Sequence, residues 1–156
     1  MNINISRMRY EDLPEVMALE KASFTSPWSE QFFMDELERD FSYIFTARLE
    51  DESLAGFICF WVLFEEMHIL NLAVAGKHRR KGIARALVKE AFKFALKLGS
   101  VSATLEVREK NMPATSFYTR VGFEKAGVRK NYYESPPDNA VIMWLYDIGA
   151  ALEKMP

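Results

Sequence analysis

Residues 71–92 read NLAVAGKHRRKGIARALVKEAF. This stretch decides the fold because its pattern changes twice within a few residues. An apolar run is followed by Lys77-His78-Arg79-Arg80-Lys81, then Gly82, then apolar residues at helical spacing. Past the glycine, Ala84, Leu87, Val88, Ala91, Ala95 and Leu98 fall on one side, and Arg85, Lys89, Lys93 and Lys97 lie away from it, the stripe of a helix packed against a core. Gly99 supplies a C-terminal stop. VSATLEV, residues 101–107, then alternates as a strand. A strand, a helix and a second strand in this order allow the two strands to lie parallel.

Upstream, Ile3 to Arg7 alternates as a first strand. The segment DLPEVMALEKASF places Leu13, Val16, Met17 and then Leu19 or Glu20 at helical spacing behind a capping Asp12. TSPWSEQFFMDELERD holds a turn at Pro27, a cap at Ser29 and a second short helix to about Arg39. Strands from about Tyr43 to Arg48 and Leu54 to Leu63 flank the charged turn LEDES and predict a hairpin, and a fourth strand runs from about Met67 to Val74. Downstream, NMPATSFYTRV reads as a short helix capped by Asn111, and GFEKAGVRKNYY and NAVIMWLYDI read as two closing strands. The predicted order is β-α-α-β-β-β-α-β-α-β-β, a mixed α/β (α+β) class with about seven strands and about four helices. The terminal GAALEKMP carries no readable element.

A chain of 156 residues is most simply one domain, 1–156. Hydrophobic residues at 49% and charged ones at 27% place it with ordinary globular proteins. The first ten residues lack the apolar core of a signal peptide, and the apolar run Leu54 to Phe64 falls short of the ~20 residues that span a bilayer. A cytoplasmic location without membrane attachment is the expectation. Cys59 lies inside that run and reads as a small buried hydrophobe. Twenty Lys and Arg against 22 Asp and Glu exclude a globally basic face, so direct nucleic-acid binding is not expected and any anion must be met locally.

The turn before the third helix is where an anion would be met. A helix N-terminus presents unpaired N–H groups and a positive dipole end. Arg79, Arg80 and Lys81 add charge there, and Gly82 lets backbone approach a phosphate where a Cβ would intrude. The stretch lacks the Gly-Lys-Ser/Thr ending of a P-loop and the three glycines of a dinucleotide fingerprint. A solvated basic loop is the alternative for this stretch alone.

The same residues resemble the acyl-CoA-binding signature of the GNAT acetyltransferase superfamily, Arg/Gln-x-x-Gly-x-Gly/Ala, met by Arg79, Gly82 and Ala84. The resemblance implies the GNAT fold and acetyl-CoA as cosubstrate. It implies that Leu72, Ala73 and Val74 pair with the pantetheine arm and that Arg80, Lys81, Gly82, Ile83, Ala84 and Arg85 cradle the pyrophosphate. Leu105-Glu106-Val107-Arg108, Asn111, Tyr118 and Gly122-Phe123, together with PWSEQFF and RKNYY, resemble the ribosomal-protein alanine N-acetyltransferase (RimI) branch over nearly the whole chain. That branch implies N-terminal acetylation of a ribosomal protein, with alanine first.

Acetyl transfer needs a neutral amine, and an α-amino group with a pKa of about 7.7 to 8.0 is mostly protonated at pH 7. Alternation puts Ser102, Thr104 and Glu106 on one strand face, with Glu106 at the C-terminal end where α/β sheets place ligands. Taken alone, Glu106 reads as an exposed surface residue; the resemblance implies that it accepts the amine's proton, directly or through water. Tyr118, seven residues after Asn111, reads equally as a half-buried core aromatic or as a general acid for the leaving thiolate. The resemblance assigns it the acid and gives Asn111 a cofactor contact. It also implies that the Tyr132-Tyr133 neighbourhood and the FTSPWS loop help to form a groove for the acceptor peptide. His68 and His78 have no second ligand at metal-site spacing, so no metal is expected. Other protein N-termini, lysine or small amines as acceptors, and a noncatalytic acyl-CoA sensor, are the competing readings.

Overall fold

The computed structural model describes residues 2–156. In chain order its elements are β1 (Asn4–Arg7), α1 (Leu13–Ser23), α2 (Glu30–Glu38), β2 (Ser42–Arg48), β3 (Leu54–Leu63), β4 (Glu66–Val74), α3 (Ile83–Lys97), β5 (Ser102–Arg108), α4 (Met112–Val121), β6 (Glu124–Glu134), β7 (Pro137–Leu145) and α5 (Ile148–Glu153). Single 3-10 turns at Tyr10–Asp12 and Gly76–His78 precede α1 and α3. The seven strands form a mixed sheet in the order β1-β2-β3-β4-β5-β7-β6. The predicted hairpin is present as antiparallel β2 and β3, and β4 pairs parallel with β5. Among the described residues no helix is long and apolar enough to cross a membrane.

By compactness the chain falls into two units, one running to Trp61 and including Asn71–Ala91, the other holding Val62–Leu70 and Phe92–Pro156. In the first, Val16, Phe33, Phe57, Ile58, Phe60, Ile83, Leu87 and Val88 are fully or almost fully buried. Phe33 meets the edge of Phe57 at 5.9 Å between ring centroids. In the second, Met67, Phe92, Ala103, Phe123, Met143 and Ile148 are buried to a similar degree. The apolar stripe of α3 is buried from Leu87 to Ala95, with Ala84 half-buried at its start and Leu98 49% exposed at its end. Gly99 adopts φ +104°, its N–H donates to the Leu96 carbonyl, and the Ser100 N–H donates to the Ala95 carbonyl. This is the Schellman closure, which makes Leu98 the cap and turns it away from the core.

Capping shows where sequence reading held and where it did not. Ser29 and Asn111 accept hydrogen bonds from the Phe32 and Ala114 N–H groups, at 3.1 and 3.2 Å, and so cap α2 and α4. Asp12 precedes α1 but its side chain does not cap it. Its carboxylate accepts the Arg9 N–H at 2.8 Å and pairs with Arg48 at 2.7 Å, because the 3-10 turn aims it backward. The closing strand stops at Leu145, short of the predicted Ile148, and a fifth helix, α5, runs from Ile148 into GAALEKMP. Six residues are too few to show a period, but Asp147 caps it by accepting the Ala150 N–H at 2.9 Å.

Gly56, on β3, sets the position of the end of β4. A Cβ there would stand 2.7 Å from the Ala73 carbonyl oxygen and 3.3 Å from the Ile83 side chain. Only glycine allows this approach, which the Ala75 N–H reinforces by donating to the Ala55 carbonyl at 2.8 Å.

Candidate active site

The cationic turn lies directly before α3. Its 3-10 turn Gly76–His78 leads into Arg79, then Arg80 at φ +63° and Gly82 at φ +80°. Alternating left-handed residues bend successive N–H groups toward one side, the geometry of an anion nest. The first bond into α3 is from the Ala86 N–H to the Gly82 carbonyl at 3.0 Å, so the N–H groups of the helix's first turn have no acceptor within it. Arg79, Arg80, Lys81 and Arg85 are exposed. A Cβ on Gly82 would meet nothing within 4 Å, so the space in front of it is open. Open space, cationic rim and helix N-terminus together fit a diphosphate.

Within this stretch Ala73 and Ile83 offer backbone only. Ile83 is 1% exposed and Ala73 4%; both side chains serve the core, while Leu72, Val74 and Ala84 are half-buried. The pairing of β4 with β5 covers Glu66 to Ile69, whereas β4 itself continues to Val74. Arg79 bends back, its Nε donating to the Val74 carbonyl at 3.4 Å.

In the second unit, β5 is held by β4 and antiparallel β7, with Glu106 opposite Ile142. Thr104 is buried and donates to the Met143 carbonyl at 2.9 Å; two residues on, the same face emerges and Glu106 is exposed. The carboxylate thus emerges near the end of a strand whose middle, Ala103 to Leu105, is buried. Arg129 approaches it at 3.8 Å, with both side chains solvated, a contact worth at most about 1 kcal/mol. The Arg129 guanidinium also lies over the Tyr132 ring at 5.1 Å, and Arg108 lies over Tyr133 at 4.2 Å. Arg108 further donates to the carbonyls of Pro136 and Ser135, which ties β5 to the β6–β7 hairpin. Burial, and then the Glu106 charge, raise the Tyr133 phenol above its ordinary pKa.

Tyr118 is 6% exposed, with Phe117 and Phe123 edge-on at 5.2 and 5.4 Å. Burial raises its phenol above the ordinary value, and the hydroxyl carries its proton at neutral pH as any tyrosine's does. Asn111 is exposed, but its carbonyl oxygen is committed to capping α4. Asn111→Ala is therefore expected to cost about 1 kcal/mol of stability, lowering the melting midpoint by about 2–4 °C. A thermal melt without ligand checks this; a smaller CoA-induced rise in the same variant would register the cofactor contact separately.

Cys59 is fully buried, and burial raises its thiol, as a core residue requires. His68 Nε2 lies 3.1 Å from Glu66. Among the described residues no His, Cys, Asp and Glu cluster is placed to hold a metal.

The mixed seven-stranded sheet is shared with N-acetyltransferases of known structure. The Acetyltransferase (GNAT) family profile matches residues 13–123, and the chain belongs to that family. Within it the chain is similar to the [ribosomal protein bS18]-alanine N-acetyltransferase of Salmonella typhimurium, 33% identical over 144 residues, which are 90% of this chain and 95% of that one. The crystal structure of the ribosomal-protein-S18-alanine N-acetyltransferase from Escherichia coli superposes with a TM-score of 0.84 at 30% identity, over 92% of this chain and 93% of that one. Ard1 from Thermoplasma volcanium gives the same TM-score at 26% identity, over 92% and 97% of the two chains.

Proposed function

We propose that the protein is an acetyl-CoA-dependent N-α-acetyltransferase acting on the N-terminal amine of a ribosomal protein, with alanine first. The observation that carries this reading is the similarity over nine-tenths of each chain to enzymes named for that reaction. Acetyl-CoA supplies the activated acyl group as a thioester. Arg79, Arg80, Lys81 and the N–H groups from Gly82 to Arg85 hold its diphosphate, the backbone of Leu72–Val74 aligns its pantetheine arm, and Asn111 adds a contact. Glu106 takes the proton from the ammonium of the acceptor, so that the free amine attacks the thioester carbonyl. Tyr118 stabilises the departing thiolate by donating from its hydroxyl. A ribosomal acceptor sets the cytoplasm as the place of action.

The decisive assay measures CoA release from acetyl-CoA with short peptides that differ only in their first residue. An N-blocked lysine peptide and simple polyamines are the comparators. Turnover confined to free α-amines and best with alanine or serine first is the expected result. Turnover only with lysine or polyamines would overturn the acceptor assignment, and tight CoA binding with no turnover would favour a sensor.

A further inference from the structure

Glu20 is the one carboxylate on the apolar stripe of α1, and it is 1% exposed. Its two oxygens have separate partners. Oε2 accepts the Trp28 N–H at 2.9 Å, and Oε1 accepts from Asn71 Nδ2 at 2.7 Å. One bond reaches eight residues forward into the segment joining α1 to α2, and the other reaches 51 residues forward into β4. Asn71 immediately precedes Leu72–Val74, the backbone assigned to the acyl donor. An apolar side chain would fill the same space without removing a charge from water, so a buried carboxylate here is a costly means of packing. What it adds is direction, since each hydrogen bond fixes a partner's orientation.

The segment so fixed has the character of a binding surface. Residues 25–27 and 29 are exposed, Trp28 and Phe24 are half-buried, and Phe32 is 40% exposed. The Trp28 ring lies 4.3 Å from Phe32 and 5.3 Å from the buried Phe33, which anchors the pair to the core. The result is a half-exposed aromatic shelf, separated from the donor strand by one shared carboxylate. An acceptor travelling to a thioester held along Leu72–Val74 would meet it.

We propose that Glu20 is a positioning residue that fixes the Trp28–Phe32 shelf against the donor strand for the acceptor's N-terminal segment. This rests on the acetyltransfer reading given above. Burial raises the Glu20 carboxyl above its ordinary pKa, and the Trp28 and Asn71 bonds oppose that rise.

The test uses the full-length protein with Glu20→Ala, Glu20→Gln, Asn71→Asp and the double variant Glu20→Gln/Asn71→Asp. Kinetics are read with whichever acceptor the wild type acetylates, CoA affinity by calorimetry, and the Trp28 amide by hydrogen exchange. Glu20→Ala should raise the acceptor KM about tenfold or more, with kcat and CoA Kd held within about twofold and Trp28 exchange faster by about tenfold. Glu20→Gln should stay near wild type, because its carbonyl still accepts from Trp28 and the Asn71 amide can turn to accept from it. Asn71→Asp alone sets two carboxylates against each other and should impair the acceptor KM. The double variant restores a donor–acceptor pair and should recover it. The double variant performing no better than Asn71→Asp would overturn the proposal, as would unchanged Trp28 exchange in Glu20→Ala or a parallel loss of kcat and CoA affinity alongside the rise in acceptor KM. Should Glu20→Ala fail to fold, the Asn71→Asp and double variants decide alone. Wild-type silence toward every acceptor would instead sink the acetyltransfer reading, and Trp28 exchange would still decide whether Glu20 holds the segment.

Discussion

Replacing Glu106 by glutamine is expected to lower kcat by about 10² or more while leaving CoA affinity and the fold unchanged. The fold should survive because Glu106 is solvated near the end of β5 and its contact with Arg129 is long and exposed. Glutamine keeps the shape and an acceptor oxygen but cannot take a proton. The pH dependence separates a lost base from a general defect. With Glu106 present, a bound ammonium can surrender its proton below the α-amine's own pKa of about 7.7 to 8.0. Without it, only acceptor that is already neutral reacts. The variant's rate should therefore climb about tenfold per pH unit below that pKa, a steeper rise than the wild type shows. A stopped assay across pH 6 to 9 with a saturating free-amine peptide measures both. Wild-type turnover in Glu106→Gln, or a uniform loss with no change in profile, would remove Glu106 from the proton path.

The sheet was legible in the sequence because its strands and helices carry different periods with distinct punctuation. The stripe of α3, the alternation of residues 101–107 and the caps Ser29 and Asn111 each rest on a local rule, and each is present. The helix α5 escaped because its six residues cannot display a helical period. Asp12 misled for a related reason: a carboxylate before a helix signals a cap, but a 3-10 turn redirects it to Arg9 and Arg48. The candidate site announces itself in the sequence where charge concentrates, as at Arg79 to Lys81, and leaves no sign where it depends on long-range approach. Gly56 looks like any glycine in a strand until the Ala73 carbonyl is found against it. Glu20 did leave a trace: the spacing Leu13, Val16, Met17 and Glu20 puts a carboxylate on an apolar stripe. Only the fold shows that Trp28 and Asn71 bring it two donors.

Gly82→Val is expected to weaken CoA binding by about ten- to a hundredfold with secondary structure intact, the free-energy equivalent of the about 1–3 kcal/mol that a strained left-handed residue costs. The structure refines the reason. At φ +80° a residue with a branched Cβ is strained whatever surrounds it. A valine would drive the turn toward negative φ and disperse the N–H groups that Arg80 and Gly82 now aim to one side. Where the turn resists, the valine side chain projects into the open space before Gly82, where it would compete with the diphosphate. Both routes weaken binding without touching the core, since nothing lies within 4 Å of that Cβ. Gly76 provides the control in the same turn: its φ is unexceptional and a Cβ there also meets nothing within 4 Å, so Gly76→Ala should leave CoA affinity as it is. Calorimetric titration with CoA, alongside circular dichroism, measures the pair. Equal affinity in Gly82→Val would show that the turn's left-handed geometry is not what holds the cofactor; equal losses in both variants would trace the effect to the turn's general stiffness and not to Gly82.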